Sequence, residues 1–117
     1  MDDSEHDASW EAGHVARRAR NYEQALESYE RSIDLALRDH WHEREVEARL
    51  YAADCARRLL KGEVSETHLH AAVEVSRRKG IKRLLARALG ELGTIAVVRG
   101  DIQVGAAHYQ EALELAE

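Results

Sequence analysis

Proline and phenylalanine are both absent from this 117-residue chain, and cysteine occurs once. Without proline no helix loses a backbone donor or meets a ring clash, so long uninterrupted helices are permitted. Without phenylalanine the large core contacts fall to Leu, Ile, Val, Tyr and Trp. A single thiol, Cys55, cannot close an internal disulfide, which implies a reducing, cytoplasmic setting. It reads as a small core residue rather than a nucleophile. No apolar run approaches the roughly 20 residues that a membrane span needs, and no charged-then-apolar leader opens the chain. There is no GxGxxG, no phosphate-loop lysine motif, no GxSxG and no HExxH. Nothing therefore points to an enzyme or a cofactor. His40 and His42 form one HxH pair and His68 and His70 another. Residues two apart on a helix face apart, so no metal site is expected.

What is present favours helix. Alanine is abundant, and 33% of the residues are charged. Ala, Leu, Glu and Arg are strong helix formers. Residues 1–12 hold five acids (Asp2, Asp3, Glu5, Asp7, Glu11) and no Lys or Arg, while the rest balances 17 acids with 17 bases. The formal charge of −5 thus belongs to the lead-in. It reads as a solvated start that favours the positive end of a first helix. By length the chain is one domain, 1–117.

Apolar periodicity predicts six helices, at 7–19, 22–37, 41–61, 65–79, 82–98 and 102–116. Asn21 with Gln24 makes a capping-box pattern before the second. Asp39, Ser65 and Asp101 are expected caps of the third, fourth and sixth. Gly62, Gly80 and Gly100 are expected left-handed ends of the third, fourth and fifth. The short connections make neighbouring helices antiparallel, giving three hairpins at 5–38, 41–79 and 82–117. The hairpins recur. Gly13 matches Gly93, Tyr22 matches Ile102, Ala25 matches Gly105 and Tyr29 matches Tyr109, each 80 residues apart. Ala48-Arg49 matches Ala86-Arg87 and Gly62 matches Gly100 at a spacing of 38, which leaves 42 between the first and second units. A fixed internal register marks a stacked repeat.

These residues resemble the tetratricopeptide repeat (TPR). The third hairpin carries Leu89-x2-Leu92-Gly93, then Gly105-x3-Tyr109-x2-Ala112; the first carries Gly13, then Ala25-x3-Tyr29-x2-Ser32. The middle hairpin departs most, with Cys55, Thr67 and Ala71 at the corresponding places. The repeat is longer than the usual length of about 34 residues and is similar to longer TPR-like arrays of bacterial regulatory proteins. The resemblance implies an all-α fold, a right-handed α-α superhelix of three hairpins. It also implies that the first helix of each hairpin lines a concave face. That face would carry Trp10, His14 and Arg17, then Arg49, Ala52, Ala56 and Leu59, then Arg87, Thr94 and Val97. Arginines around an apolar floor suit a peptide or helix with acidic side chains. Trp10, His14, Ala53 and Glu91 do not supply the Lys and Asn clamp by which chaperone-binding members hold a terminal carboxylate.

The expected function is thus a protein-binding scaffold or adaptor. Two alternatives stand beside it. One is a nucleic-acid-associated module using the five bases in 77–83; the other is an engineered, self-assembling repeat. An array also exposes an apolar face at its end. Ile102, Ala106, Tyr109 and Leu113 are therefore the expected self-association surface of a homo-oligomer.

Overall fold

In the computed structural model, which describes residues 3–117, five turns join six α-helices. These are α1 (Ser4–Arg18), α2 (Tyr22–Asp39), α3 (His42–Arg58), α4 (Gly62–Lys79), α5 (Lys82–Arg99) and α6 (Ile102–Ala116). Asp2 of the acidic lead-in lies outside the described residues. Each turn contains one left-handed residue: Arg20 (φ 61°), His40 (60°), Leu60 (61°), Gly80 (70°) and Gly100 (94°). They stand every twenty residues. The next residue in each turn donates its N–H to a carbonyl five positions back. The pairs are Asn21 to Ala16, Trp41 to Ala36, Lys61 to Ala56, Ile81 to Ser76 and Asp101 to Ala96, all at 2.8–2.9 Å. This is the long bond of a Schellman ending. The accepting residue is always small and buried, because the following helix crosses beside it.

The turns correct the register of the middle hairpin. Its spacing to each neighbour is forty residues, not 42 and 38. The reason is Leu60, a non-glycine that adopts the left-handed conformation at a cost of roughly 1–2 kcal/mol. Gly62 does not end α3 but opens α4. With the correct register, Gly13, Ala53 and Gly93 align, as do Ala25, Ser65 and Gly105, and Tyr29, Leu69 and Tyr109. Cys55, Thr67 and Ala71 do not hold those places. The sizes are reciprocal. A Cβ on Gly13 would lie 2.7 Å from the Tyr29 ring, and one on Gly93 2.9 Å from the Tyr109 ring. Where alanine stands instead, at Ala53, the facing residue is the shorter Leu69. Ser65 donates its hydroxyl to the Ala53 carbonyl at 2.9 Å, the counterpart of the close approach of Gly105 to the Gly93 carbonyl.

This reciprocity predicts that Leu69→Tyr alone destabilises by about 1–3 kcal/mol, the usual cost of overpacking. Adding Ala53→Gly should recover more than half of that loss, despite the lower helix propensity of glycine. Urea unfolding of the two single variants and the double variant reads the coupling. Simple additivity would refute the size match.

Other expected caps also move. Asp39 is the last residue of α2, and Trp41 takes the position before α3. Ser65 lies inside α4, and Asp101 precedes α6 without a side-chain cap bond. Asn21 does cap α2: its Oδ1 accepts from the Gln24 N–H at 3.3 Å, and its amide donates to Gln24 Oε1 at 2.9 Å.

Consecutive helices pack on one another, and α3 also touches α5. The result is an all-helical array of stacked hairpins, 44 × 30 × 20 Å. One core cluster lies where α1, α2 and α3 meet, around Leu26, Tyr29, Ile33 and Cys55. A second lies between α3, α4 and α5, around Leu50, Leu69, Leu84 and Leu92. The Cys55 thiol is buried and its pKa is pushed up to about 11, chiefly by that burial. It is inert as a nucleophile at neutral pH. Among the described residues, no helix is long and apolar enough to cross a membrane.

Candidate recognition face

The first helices of the hairpins present a cluster of rings and guanidinium groups. On α1, Trp10, His14 and Arg17 stand at i, i+4 and i+7, the spacing of one helical face. On α3, Arg44 and Tyr51 are likewise seven apart. Trp10 meets His14 and Tyr51 edge-on, at centroid distances of 4.4 and 5.6 Å. Tyr51 stacks on the buried Tyr29 of α2 at 5.2 Å and 14°. Three arginines cover the rings. Arg17 and Arg87 approach Tyr51 at 4.8 and 5.5 Å, and Arg44 lies 4.4 Å from the Trp10 centroid. Arginine over an aromatic face is attractive because the ring quadrupole is negative there.

The cluster is wired at its base. Arg17 Nε donates to Tyr29 Oη at 3.1 Å, and the same hydroxyl is hydrogen-bonded to His14 Nδ1 at 2.8 Å. The direction of the first bond follows because arginine can only donate. Burial, then the charge of Arg17, lowers the His14 pKa, so its ring is neutral at pH 7 and free to accept. Burial also raises the Tyr29 phenol, against the opposing pull of Arg17.

Among the described residues, Arg17, Arg44 and Arg87 form no ion pair, as is also true of Arg18, Arg20 and Arg31, whereas Arg38, Arg49, Arg57, Arg58, Arg77, Arg78, Arg83 and Arg99 all do. One guanidinium nitrogen of Arg44, NH1, is buried and has no hydrogen-bond partner. The face therefore holds donors with unused capacity beside apolar rings. A cleft of about 600 Å³ adjoins it, between α3, α4 and α5. In the forty-residue register Tyr22, Leu26 and Tyr29 of the first hairpin become Gly62, Glu66 and Leu69. The cleft is the space those larger residues fill one repeat earlier. Glu91, one turn from Arg87, lines it, and burial raises its carboxyl pKa, which Arg87 partly offsets.

Four of the residues expected on this face converge: Trp10, His14, Arg17 and Arg87. Six do not. Leu59 is half-buried against the α1–α2–α3 core, and Val97 lies against Gly105 of α6. Ala52 and Ala56 are fully buried in the α1–α2–α3 core and offer no surface to a partner. Arg49 turns toward α4, donating to Glu45 at 2.8 Å and to His68 Nδ1 at 3.3 Å. Thr94 is the register counterpart of His14, and its hydroxyl meets Tyr109 at 2.7 Å on the far hairpin. For Ala52 and Ala56 the physical cause is the slip in the middle hairpin. Two residues rotate a helix by about 200° and bring its opposite side forward. Arg44 and Tyr51 are not foreseen from the sequence, although their seven-residue spacing was a usable signal. Of the expected self-association residues, Ile102, Ala106, Tyr109 and Leu113 are all exposed on α6.

The alternative basic segment is partly spent. Arg77 pairs with Glu111, Arg78 with Glu74 and Arg83 with Glu43. In the histidine pairs, His68 is buried and His70 exposed, and the rings of His40 and His42 lie 6.1 Å apart.

Fold and face together define an array of helical hairpins with an arginine-aromatic surface. Comparison of the chain with protein-family models, curated proteins and solved structures gave no match.

Proposed function

We propose that this chain is a protein-binding scaffold of tetratricopeptide-like hairpins, and that the face around Tyr51 takes a peptide with acidic side chains. The observation that carries the reading is the trio Arg17, Arg44 and Arg87, held over rings with no carboxylate partner. A desolvated guanidinium donor is costly when unpaired, and a carboxylate satisfies it in a bidentate, charge-assisted pair. Trp, Tyr and Arg are also the residues that dominate binding energy at protein interfaces. The adjoining cleft accepts an apolar side chain of the same peptide against Leu69, Ile95 and Val98. The buried single thiol fits a reducing cytoplasm.

Fluorescence anisotropy with a labelled peptide of alternating Glu and Leu provides the test. Binding should weaken about tenfold in Arg87→Glu and at least as much in Arg17→Glu, in line with loss of a charge pair. Replacing each Glu of the peptide by Gln should abolish it. Equal affinity of the Gln peptide would overturn the reading. Tighter binding to single-stranded nucleic acid, with a steep salt dependence, would transfer the face to phosphate.

A further inference from the structure

The two ends of the array are complementary halves of the interface that already joins its repeats. On α6, Ile102, Ala106, Tyr109 and Leu113 stand exactly two repeats after Tyr22, Leu26, Tyr29 and Ile33 of α2. The α2 residues form the face that receives α3: Tyr22 is half-buried, and Tyr29 and Ile33 are 0% and 3% exposed. Their counterparts on α6 are open, with Tyr109 39% and Leu113 62% exposed. At the other end, Ala8, Ala12, Val15 and Ala19 stand one repeat before Ala48, Ala52, Cys55 and Leu59 of α3. That α3 stripe packs on α2. The α1 stripe faces solvent, with Val15 59% exposed.

The seat itself is visible. An open groove of about 730 Å³ runs between α1 and α2, lined by Glu5, Ala8 and Ser9 on one side and on the other by Gln24, Ser28, Arg31 and the acids Glu27, Glu30 and Asp34. One repeat later, Val64 and His68 stand where Gln24 and Ser28 do. There the place is occupied: Val64 packs against the core that contains α2, and His68 bonds Glu30 of α2 at 3.0 Å. The α1–α2 groove is thus the empty equivalent of the position that α2 fills, and α6 is the helix in register with α2.

We infer that α6 of one molecule seats in the α1–α2 groove of a second copy, continuing the stack head to tail. Two ion pairs carry over in that register. The pair Arg77–Glu111 between α4 and α6 recurs one repeat on as Glu117 against Arg31 of the next copy, with the signs exchanged. The pair Glu43–Arg83 recurs as Arg83 against Asp3 of the next copy. The contact is heterologous: each molecule offers one α6 face and one groove, so growth is open-ended unless the superhelix closes a ring.

Sedimentation velocity on the full chain, from low to several hundred micromolar, tests this with Leu113→Glu and Val15→Glu. Both side chains are exposed, and circular dichroism checks that each variant keeps its helix content. The wild type should form a distribution of species that lengthens with concentration. Either variant alone should be monomeric. An equimolar mixture should form one-to-one dimers that grow no further, because one intact groove and one intact α6 face remain between them. A monomeric wild type at several hundred micromolar overturns the inference. So does a Val15→Glu variant that assembles as the wild type does, which would mean a symmetric α6 dimer.

Discussion

Replacing Tyr29 by alanine will cost about 3–5 kcal/mol of folding stability, the range for deleting a large buried ring. That is a large part of the roughly 5–15 kcal/mol available to a domain. The ring is fully buried between α1, α2 and α3 and lies against Gly13, where a Cβ would meet it at 2.7 Å. It stacks on Tyr51 and meets Trp10 edge-on at 5.9 Å. Three helices lose a common contact at once, and the adjoining glycine cannot fill the void. Tyr29→Phe separates the ring from its hydroxyl. It should cost only about 1 kcal/mol, the net worth of a hydrogen bond, while releasing Arg17 and His14. Acidification acts on the same centre in a known direction. The folded His14 pKa lies below 6.5, so the unfolded chain takes up the proton first. The stability due to neutral His14 is complete above pH 6.5 and is lost as the pH falls below it. Urea titrations of the three proteins at pH 7.5 and pH 5.5 check both the order of the variants and the sign. A Tyr29→Ala loss below 1.5 kcal/mol would show that the ring is not the keystone of this hairpin.

A second large effect is expected at Arg49, for the opposite kind of reason. Arg49 is the hub of a polar chain across three helices. It donates to Glu45 at 2.8 Å within α3 and to His68 at 3.3 Å on α4. His68 passes its other ring N–H to Glu30 of α2 at 3.0 Å. The Glu45 and Arg49 side chains are only 4% and 15% exposed. Arg49→Met strands the Glu45 carboxylate in the interior, which costs about 3–5 kcal/mol when a buried pair is broken from one side. Replacing both residues by methionine should recover at least half, because no charge is then left buried. Thermal unfolding followed by circular dichroism reads the difference. The single variant should melt on the order of 10 °C or more below the wild type, and the double variant between them. A double variant no better than the single would assign the loss to packing instead of charge.

The outer hairpins were legible because each carries its own punctuation. Gly13 with Tyr29, and Gly93 with Tyr109, pair a gap with a ring at the same spacing, and the structure joins them as that pattern implies. The middle hairpin hid its phase at one residue. Leu60 bends left-handed without being glycine, and Gly62 two places on resembles the missing signal. Arg20 and His40 adopt the same conformation, so three of the five turns carry no glycine at the left-handed place. A glycine rule sees only Gly80 and Gly100. The slip left every helix recognisable but turned α3 through more than half a revolution. It thereby set Ala52 and Ala56 opposite Trp10 and His14, where the forty-residue register sets Leu50 and Asp54; Arg44 and Tyr51 meet the α1 cluster from places that match Ser4 and Glu11. The Glu45–Arg49–His68–Glu30 chain was illegible for a different reason. Its members lie on three helices, and only packing brings them together.

Contacts that run only between near neighbours along the chain give the array a grain. Among the described residues, no strand or helix from one end clasps the other, so the ordering of each hairpin depends on the one beside it, and little loop entropy opposes each step. Such a chain folds as a zipper closes. Order spreads outward from the two clusters around α3, and release begins at α6, which buries only Gly105. On the head-to-tail inference above, the open α1–α2 groove and the unburied α6 are the teeth by which one such zipper would engage the next.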